Sequence, residues 1–160
     1  MKVIITGVPG SGKSILAKRL GKKLGMKVIN EKSFSERKGI GKKEKGELVV
    51  PLERLERELK KELEKKKSVI IEGHLLAEVR LPVEKVFLVR VNPEELEKRL
   101  RKRNYSELKT QENVFCEETN YLGKQLKKNY PKEKIVEIKS DKKINNTLGR
   151  IIKEIRKGER

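Results

Sequence analysis

The stretch GVPGSGKS, from Gly7 to Ser14, decides the fold of this chain. It fits the pattern G-x-x-x-x-G-K-[S/T], which is typical of a loop that binds phosphate groups. The apolar run from Val3 to Ile5 comes just before it, as a buried parallel strand would. After the loop, Gly25 marks a typical helix end, and apolar residues recur at helical spacing at Ile15, Leu16, Leu20 and Leu24. The predicted order is therefore strand, glycine loop and helix, which is the context that the motif needs.

Each residue type in this loop has a physical role. Gly7, Gly10 and Gly12 permit backbone angles and close approaches that a Cβ atom would block. The backbone N–H groups can then face an anion, and the N-terminus of the following helix adds a positive partial charge. The Lys13 ammonium suits the β- and γ-phosphates of ATP, and the Ser14 hydroxyl suits Mg²⁺. The alternative is a glycine turn that happens to precede Lys-Ser.

The composition predicts one domain with an excess of positive charge. A length of 160 residues is enough for a single domain, 1–160, with a sizeable core. Lys and Arg number 42 against 24 acidic residues, which gives a formal net charge of +18. A solvated Lys/Glu surface explains the number of charges but not their imbalance, which favours polyanionic partners such as nucleotides or RNA. For the charge alone, a solvated surface and contact with RNA stay open as alternatives.

The chain has one cysteine, Cys116, and one histidine, His74. A single cysteine fits a reducing cytosol and excludes a disulfide within the chain, so we expect Cys116 to be a small buried apolar residue. One Cys and one His also exclude a Cys/His zinc cluster. We expect no signal peptide, because an apolar strand begins almost at Met1. We expect no membrane contact, because no apolar run approaches the roughly 20 residues that span a bilayer; the expected location is cytoplasmic.

Strand and helix patterns alternate along the rest of the chain. Apolar runs predict strands at residues 27–29, 69–71, 86–91 and 135–138. One helix is predicted from Pro51 along a leucine stripe, and a second from Asn92-Pro93 to Arg103. A third, longer helix is predicted to end at about Asn129, and a fourth to begin after Asp141, which can cap it. This alternation predicts an α/β domain with a parallel sheet.

The segment from Asn30 to Val50 does not fit this alternation. It is polar, contains several glycines and shows no clear periodicity. A segment of this length inside a compact domain is usually a functional insertion or a mobile segment. A disordered surface loop is the alternative.

Two side chains follow the strand at 69–71, at the sheet edge where ligands of parallel sheets bind. Glu72 can hold Mg²⁺, either directly or through a water. His74 can orient a water or an attacking phosphate oxygen. A backbone-bonded, chemically idle histidine is the alternative for His74.

Three arginines close the helix that begins at Asn92. Arg99 and Arg103 are four residues apart, so the helix can direct both along one side toward phosphate oxygens. Arg101 points elsewhere and suits a solvated helix end that is stabilised by the helix dipole.

Five segments carry a resemblance to a known family. They are TGVPGSGKS (6–14), VINEKSFSERKG (28–39), ELVVPLERLERELKKEL (47–63), IIEGH (70–74) and KRLRKRNYSELKTQENVFCEE (98–118). The last is the most specific, because it looks like a short lid followed by an Asn-x-x-Cys-Glu helix, here Asn113 to Glu117. Together they resemble the adenylate kinase isoenzyme 6 family over nearly the whole chain.

The resemblance implies a three-layer P-loop nucleoside-monophosphate-kinase fold with a five-stranded parallel sheet. Residues of about 30–53 correspond to the monophosphate-binding insertion, with Asn30 and Arg37 at the monophosphate, and residues of about 102–112 to the lid. Lys13, His74 and Arg103 correspond to catalytic residues, and Ser14 and Glu72 to the Mg²⁺ ligands. The ATP-binding residues implied are Gly10, Ser11, Gly12, Lys13, Ser14, Ile15 and Arg103.

The resemblance also implies an activity and partners. The family is associated with broad nucleoside monophosphate kinase activity, AMP being the favoured acceptor, with ATPase activity, and with late maturation of the small ribosomal subunit through transient binding of ribosomal protein uS11. This chain departs from the family pattern at two places. Glu72 stands where the family usually has Asp, and Arg37 is one position out of register with the expected monophosphate-binding residue. A ribosome-assembly switch with little kinase activity and another small-molecule P-loop kinase are the alternatives.

Overall fold

The computed structural model describes residues 1–159, which contain seven strands and seven α-helices. In chain order these are β1 (Lys2–Thr6), α1 (Lys13–Leu24), β2 (Lys27–Asn30), α2 (Glu31–Arg37), β3 (Lys42–Glu44), β4 (Glu47–Val49), α3 (Leu52–Glu64), β5 (Val69–Glu72), β6 (Lys85–Arg90), α4 (Pro93–Lys102), α5 (Glu107–Glu118), α6 (Tyr121–Asn129), β7 (Ile135–Lys139) and α7 (Ile144–Gly158). Short 3₁₀ turns lie at Leu75–Glu78 and Lys132–Lys134.

Five of the strands form one parallel sheet in the order β2-β5-β1-β6-β7, which confirms the predicted α/β fold. β1 lies in the middle because its apolar run is buried on both faces. Glu72 is in register with Ile5 of β1 on one side and with Asn30 of β2 on the other. The carboxyl ends of three strands therefore meet beside the glycine loop that follows β1.

Helices cover both faces of the sheet, so the domain has three layers. α1 and α7 pack on one face, where Leu16, Leu20 and Ile151 meet the apolar side chains of the strands. The opposite face is covered by α3, α4, α5 and α6, through residues such as Leu59 and Leu100. The leucine stripe of α3 accounts for this packing, because Leu55, Leu59 and Leu63 are fully buried at helical spacing.

The region predicted as one long helix to about Asn129 is two helices. α5 ends at Glu118 and α6 begins at Tyr121, with Asn120 between them in the left-handed conformation at φ 52°. Arg90 at the end of β6 accounts for the break, since its guanidinium donates to Glu117 Oε1 at 2.6 Å, to the Glu117 carbonyl at 2.9 Å, and to Asn120 Oδ1. These hydrogen bonds to the partly buried Arg90 guanidinium hold the end of α5 in place.

Two smaller predictions also differ from the structure. Asp141 does not cap α7, because Lys143 occupies the cap position; Asp141 instead accepts from the Lys143 backbone N–H at 3.0 Å. Cys116 is half-buried beside the core rather than fully buried. The predicted caps of the other helices are confirmed at Asn92, whose side chain accepts from Glu94 N, and at Gly25, which ends α1 in the left-handed conformation.

The segment from Asn30 to Val50 is ordered into a short helix and a hairpin. Asn30 caps α2 by accepting from Ser33 N at 2.8 Å, and Phe34 anchors that helix in the core. The chain then reverses at Gly46, and β3 pairs with β4 in antiparallel register. All side chains of the hairpin are exposed except Leu48, which is half-buried, so this element extends from the domain.

Candidate phosphate-binding site

The glycine loop presents a free helix N-terminus. Gly12 precedes α1 with φ at 90°, a left-handed conformation that favours glycine, and no heavy atom lies within 4 Å of the position that a Cβ atom would take there. Gly12 offers no side-chain cap, so within residues 1–159 the first N–H groups of α1 have no capping side chain. An anion placed against this loop would supply the missing acceptors.

Ser14 and Glu72 bring two oxygen ligands together. Ser14 Oγ donates to Glu72 Oε2 at 3.2 Å, and Asn30 Nδ2 donates to Glu72 Oε1. Neighbouring ligands of an octahedral Mg²⁺ at about 2.1 Å lie about 3 Å apart, so this spacing fits a shared Mg²⁺. Residues 1–159 contain no cluster of three or more His, Cys, Asp or Glu side chains that could hold a metal, so phosphate and water would complete the coordination.

Lys13 lies buried under the loop, where its ammonium donates to the Val8 carbonyl at 3.4 Å. Burial lowers the pKa of Lys13, and the nearby carboxyl groups of Glu72 and Glu31 oppose that shift. A phosphate anion beside Lys13 would favour the charged ammonium in the same way.

Glu31 is a buried carboxyl group that the sequence interpretation did not single out. Its side chain is 3% exposed, and Oε1 accepts from the Leu75 backbone N–H at 2.7 Å. A Cβ atom at Gly73 would lie 2.7 Å from this Oε1, so the glycine is what lets the carboxyl group approach the strand end. Burial raises the pKa of Glu31 to about 7, against the opposing effects of the Leu75 hydrogen bond and Lys13.

His74 lies at the same strand end, with its side chain exposed to the cleft. Partial desolvation, followed by the positive charges of Lys13 and Lys32, holds the pKa of His74 below its usual range. The imidazole is therefore neutral at pH 7 and has one nitrogen free to accept a hydrogen bond.

The three arginines at the C-terminal end of α4 lie in three different environments. Arg99 donates to the Gly10 carbonyl at 3.1 Å, which ties α4 to the glycine loop, while Arg103 lines the cleft. Arg101 faces solvent and pairs with Glu97 at 2.7 Å and with Glu107 at 3.2 Å.

A cleft of about 850 Å³ lies between the glycine loop, the hairpin and α5. Of the predicted site residues, the cleft brings together Gly10, Gly12, Lys13, Ser14, Ile15, Asn30, Glu72, His74 and Arg103. Ile15 is 49% exposed, so it belongs to this surface and not to the apolar stripe of α1. A second cavity of about 190 Å³ adjoins the loop between Arg103 and the segment from Ser140 to Thr147.

Two predicted residues lie elsewhere. The Ser11 side chain is fully buried and does not face the main cleft, so only its backbone could contact a phosphate. Arg37 is exposed at the end of α2, 5.8 Å from the ring centre of Phe34, and does not line the cleft. The cleft instead receives three lysines that had not been singled out: Lys32, Lys43 and Lys109.

One ion pair connects the two sides of the cleft opening. Lys109 on α5 contacts Glu47 on the hairpin, and both side chains are largely exposed. The hydrogen bond to Glu47 raises the pKa of Lys109. The pair therefore joins the segments predicted to form the lid and the monophosphate-binding insertion.

The fold and this site define a P-loop protein with the three-layer architecture of small kinases. Deoxyadenosine kinase from M. mycoides has the same fold, with a TM-score of 0.62, 14% identity, and coverage of 98% of this chain and 100% of that chain. Shikimate kinase from Aquifex aeolicus also has a TM-score of 0.62, at 17% identity, covering 99% of this chain and 98% of that one. At these identities the likeness shows the fold alone.

Sequence comparison identifies the family. A family model described as an AAA domain matches residues 3–120. A protein of Pyrococcus abyssi named "Putative adenylate kinase" is 40% identical over 117 residues, 73% of this chain and 63% of that protein. A Thermococcus gammatolerans protein of the same name is 31% identical over 160 residues, 99% of this chain and 87% of that protein. The chain belongs to the archaeal family whose members carry this name.

The match covers less than two thirds of the length of the Pyrococcus protein. None of the helices within residues 1–159 combines the length and apolarity that crossing a bilayer requires.

Proposed function

We propose that this chain is a nucleoside monophosphate kinase that transfers the γ-phosphoryl group of ATP to AMP and forms two ADP. One observation carries the proposal: the glycine loop, the Ser14–Glu72 pair and His74 line the same cleft as the helix and hairpin of the 30–50 segment. A volume of about 850 Å³ lies at the large end of ordinary ligand sites, which are roughly 300–1,000 Å³. The loop would bind the donor, and the insertion would bind the acceptor.

The reaction breaks the bond between the γ-phosphorus and its bridging oxygen and forms a bond to an oxygen of AMP. The second pKa of a monophosphate is about 6, so that oxygen is already anionic at pH 7 and needs no strong base. Lys13 and Arg103 would neutralise charge on the transferred group, and the N–H groups of α1 would orient it. Mg²⁺, held by Ser14 and Glu72, would neutralise further phosphate charge.

Water is a rival acceptor in the same cleft. The neutral His74 beside Glu72 could hold a water in line with the γ-phosphate, which would give ATPase activity. The phosphate oxygen of AMP is already anionic and does not need His74 to orient it. The variant His74→Ala is therefore expected to lose ATP hydrolysis and to retain phosphoryl transfer to AMP. Equal loss of both activities would contradict this division of roles.

The decisive assay measures ADP formation and phosphate release side by side, from ATP with and without AMP. ADP formed in excess of the phosphate released, and only when AMP is present, is the expected result. If the ADP formed from ATP plus AMP never exceeded the phosphate released, the kinase proposal would fail and the ATPase alternative would replace it. Lys13→Ala, which lacks the phosphate-binding ammonium, controls for contaminating enzymes.

A second candidate function is a cytoplasmic role in small-ribosomal-subunit maturation, through transient binding of uS11. The formal net charge of +18 favours a ribonucleoprotein partner over a neutral one. In this function ATP would act mainly as a switch. The test is the affinity for purified uS11 with and without ATP, and an affinity that does not change with nucleotide would exclude the switch.

A further inference from the structure

The positive charge of the chain is distributed unevenly between its two helical layers. α1 and α7, which pack on one face of the sheet, contain nine basic residues and one acidic residue. The helices α3, α4, α5 and α6 on the opposite face contain twelve of each. A solvated surface adapted only to solubility would not require this separation.

Eight of the nine basic residues of α1 and α7 are exposed, and we call them the basic face. They are Lys18, Arg19, Lys22, Lys23, Arg150, Lys153, Arg156 and Lys157. Lys18 and Lys22 are one helical turn apart, as are Arg19 and Lys23, so all four lie on one side of α1. Arg19 also donates to Asn145 Oδ1 at 3.4 Å, which links this side of α1 to α7.

Most of this charge has no ion-pair partner within residues 1–159. Among residues 1–159, no carboxylate lies within 4.0 Å of the charged groups of Lys18, Lys22, Lys23, Lys153 or Arg156. On the opposite layer, by contrast, Glu residues pair with the lysines of α3 one turn away, at 3.5 Å for Lys60 and 3.5 Å for Lys61. Like charges one turn apart destabilise a helix, so the basic face weakens α1 unless a polyanion neutralises it.

The chemistry of the face favours a nucleic-acid duplex over a membrane or a single strand. Ile15, at the start of α1, is the one large apolar side chain of α1 and α7 that is exposed, so the basic face lacks a group that could insert between lipids. Neither helix contains an aromatic residue on which an unpaired base could stack. Regularly spaced cations without stacking groups suit the phosphates of a duplex.

We propose that the basic face binds the phosphodiester backbone of duplex nucleic acid without reading its bases. α7 has 15 residues and is about 22 Å long, enough to pass several phosphates of a duplex. This proposal is independent of the proposed kinase activity, because none of the eight residues lines the main cleft.

The test compares two charge-reversal variants in the full chain. K18E/K22E/K153E alters the basic face, and K98E/K124E/K127E makes the same change in net charge on the opposite layer, at exposed lysines. Binding to fluorescein-labelled 20-base-pair RNA and DNA duplexes is measured by anisotropy between 50 and 200 mM KCl. We expect the first variant to bind at least ~100-fold more weakly at 100 mM salt and to lower the salt slope by about 3, and the second to change affinity less than about threefold.

Several results would overturn the proposal. Equal losses in the two variants would show that total charge, and not the basic face, governs binding. Tighter binding of a 20-nucleotide single strand, or binding of 70:30 phosphatidylcholine:phosphatidylserine vesicles with the same loss in the first variant only, would assign the face to a different partner. If the charge-reversal variant does not fold, K18Q/K22Q/K153Q repeats the comparison, because it removes the positive charges without adding negative ones. ADP formation, measured in parallel, tests the kinase proposal separately.

Discussion

Replacing Glu31 by Gln should make the stability of this protein less sensitive to pH. The pKa of the Glu31 carboxyl rises from 4.5 to about 7 on folding, because the side chain is almost fully buried. Below pH 4.5 the group is protonated in both the folded and the unfolded chain, and no pH-dependent cost is present. Between pH 4.5 and 7 the unfolded chain releases its proton while the folded chain keeps it, so stability falls as the pH rises. Above pH 7 the whole cost is present.

The size of the effect follows from the two pKa values. Each pH unit between them corresponds to about 1.36 kcal/mol, which gives a cost of at most about 3 kcal/mol at pH 8. Gln is neutral at every pH, and its amide oxygen can still accept from Leu75 N. The free energy of unfolding of Glu31→Gln relative to wild type should therefore rise from near zero at pH 4.5 toward about 3 kcal/mol at pH 8.

Urea unfolding at several pH values, without nucleotide, measures this difference. Glu36→Gln removes the same charge from an exposed position of α2 and should stay within about 0.5 kcal/mol of wild type throughout. Glu31→Ala removes the acceptor of Leu75 N as well, so it should lose about 1–3 kcal/mol relative to Glu31→Gln at every pH. A difference between Glu31→Gln and wild type that is the same at pH 4.5 and pH 8 would refute the reasoning.

Three further predictions test the loop, the helix break and the core. Lys13→Ala should lower the rate of ADP formation from ATP and AMP at least ~100-fold with unchanged circular dichroism, and a loss below tenfold would contradict its role at the phosphates. Asn120→Ala should be about 1 kcal/mol less stable than Asn120→Gly in urea unfolding, because alanine resists the left-handed conformation; equal stabilities would argue against that strain. Leu59→Ala, at a fully buried position, should cost about 2–5 kcal/mol, whereas Leu108→Ala, at a position 69% exposed, should cost less than about 0.5 kcal/mol; similar costs would contradict the assigned core.

The features that the sequence predicts well are those set by neighbouring residues. The strand at β1, the loop and α1 follow from a motif and from apolar spacing within two dozen residues. Asn92 caps α4 through the backbone N–H groups that come directly after it. Glu72 reaches Ser14 because Glu72 ends β5, and Ser14 lies in the first turn of α1, just after the loop that follows the neighbouring parallel strand β1.

The features that the sequence interpretation missed depend on residues far apart in the chain. The break at Asn120 depends on Arg90, which lies 30 residues earlier. The burial of Glu31 depends on the absence of a side chain at Gly73, whereas a glutamate in the first turn of a helix is ordinarily exposed. Arg37 was matched to the monophosphate by resemblance, but it is the last residue of the short helix α2 and lies outside the cleft.

The Lys109–Glu47 pair has a consequence for how long a nucleotide stays in the cleft. The pair joins α5 to the hairpin across the opening of the cleft. If a ligand enters or leaves through a widened opening, the two charges must first separate. Exposed pairs of this kind contribute little to an equilibrium, and salt weakens them. The residence time of a bound nucleotide should therefore shorten as ionic strength rises. This shortening should exceed the effect of salt on the contacts that the nucleotide makes deeper in the site. A charge on the hairpin, remote from the transferred phosphate, would then set part of the rate of product release.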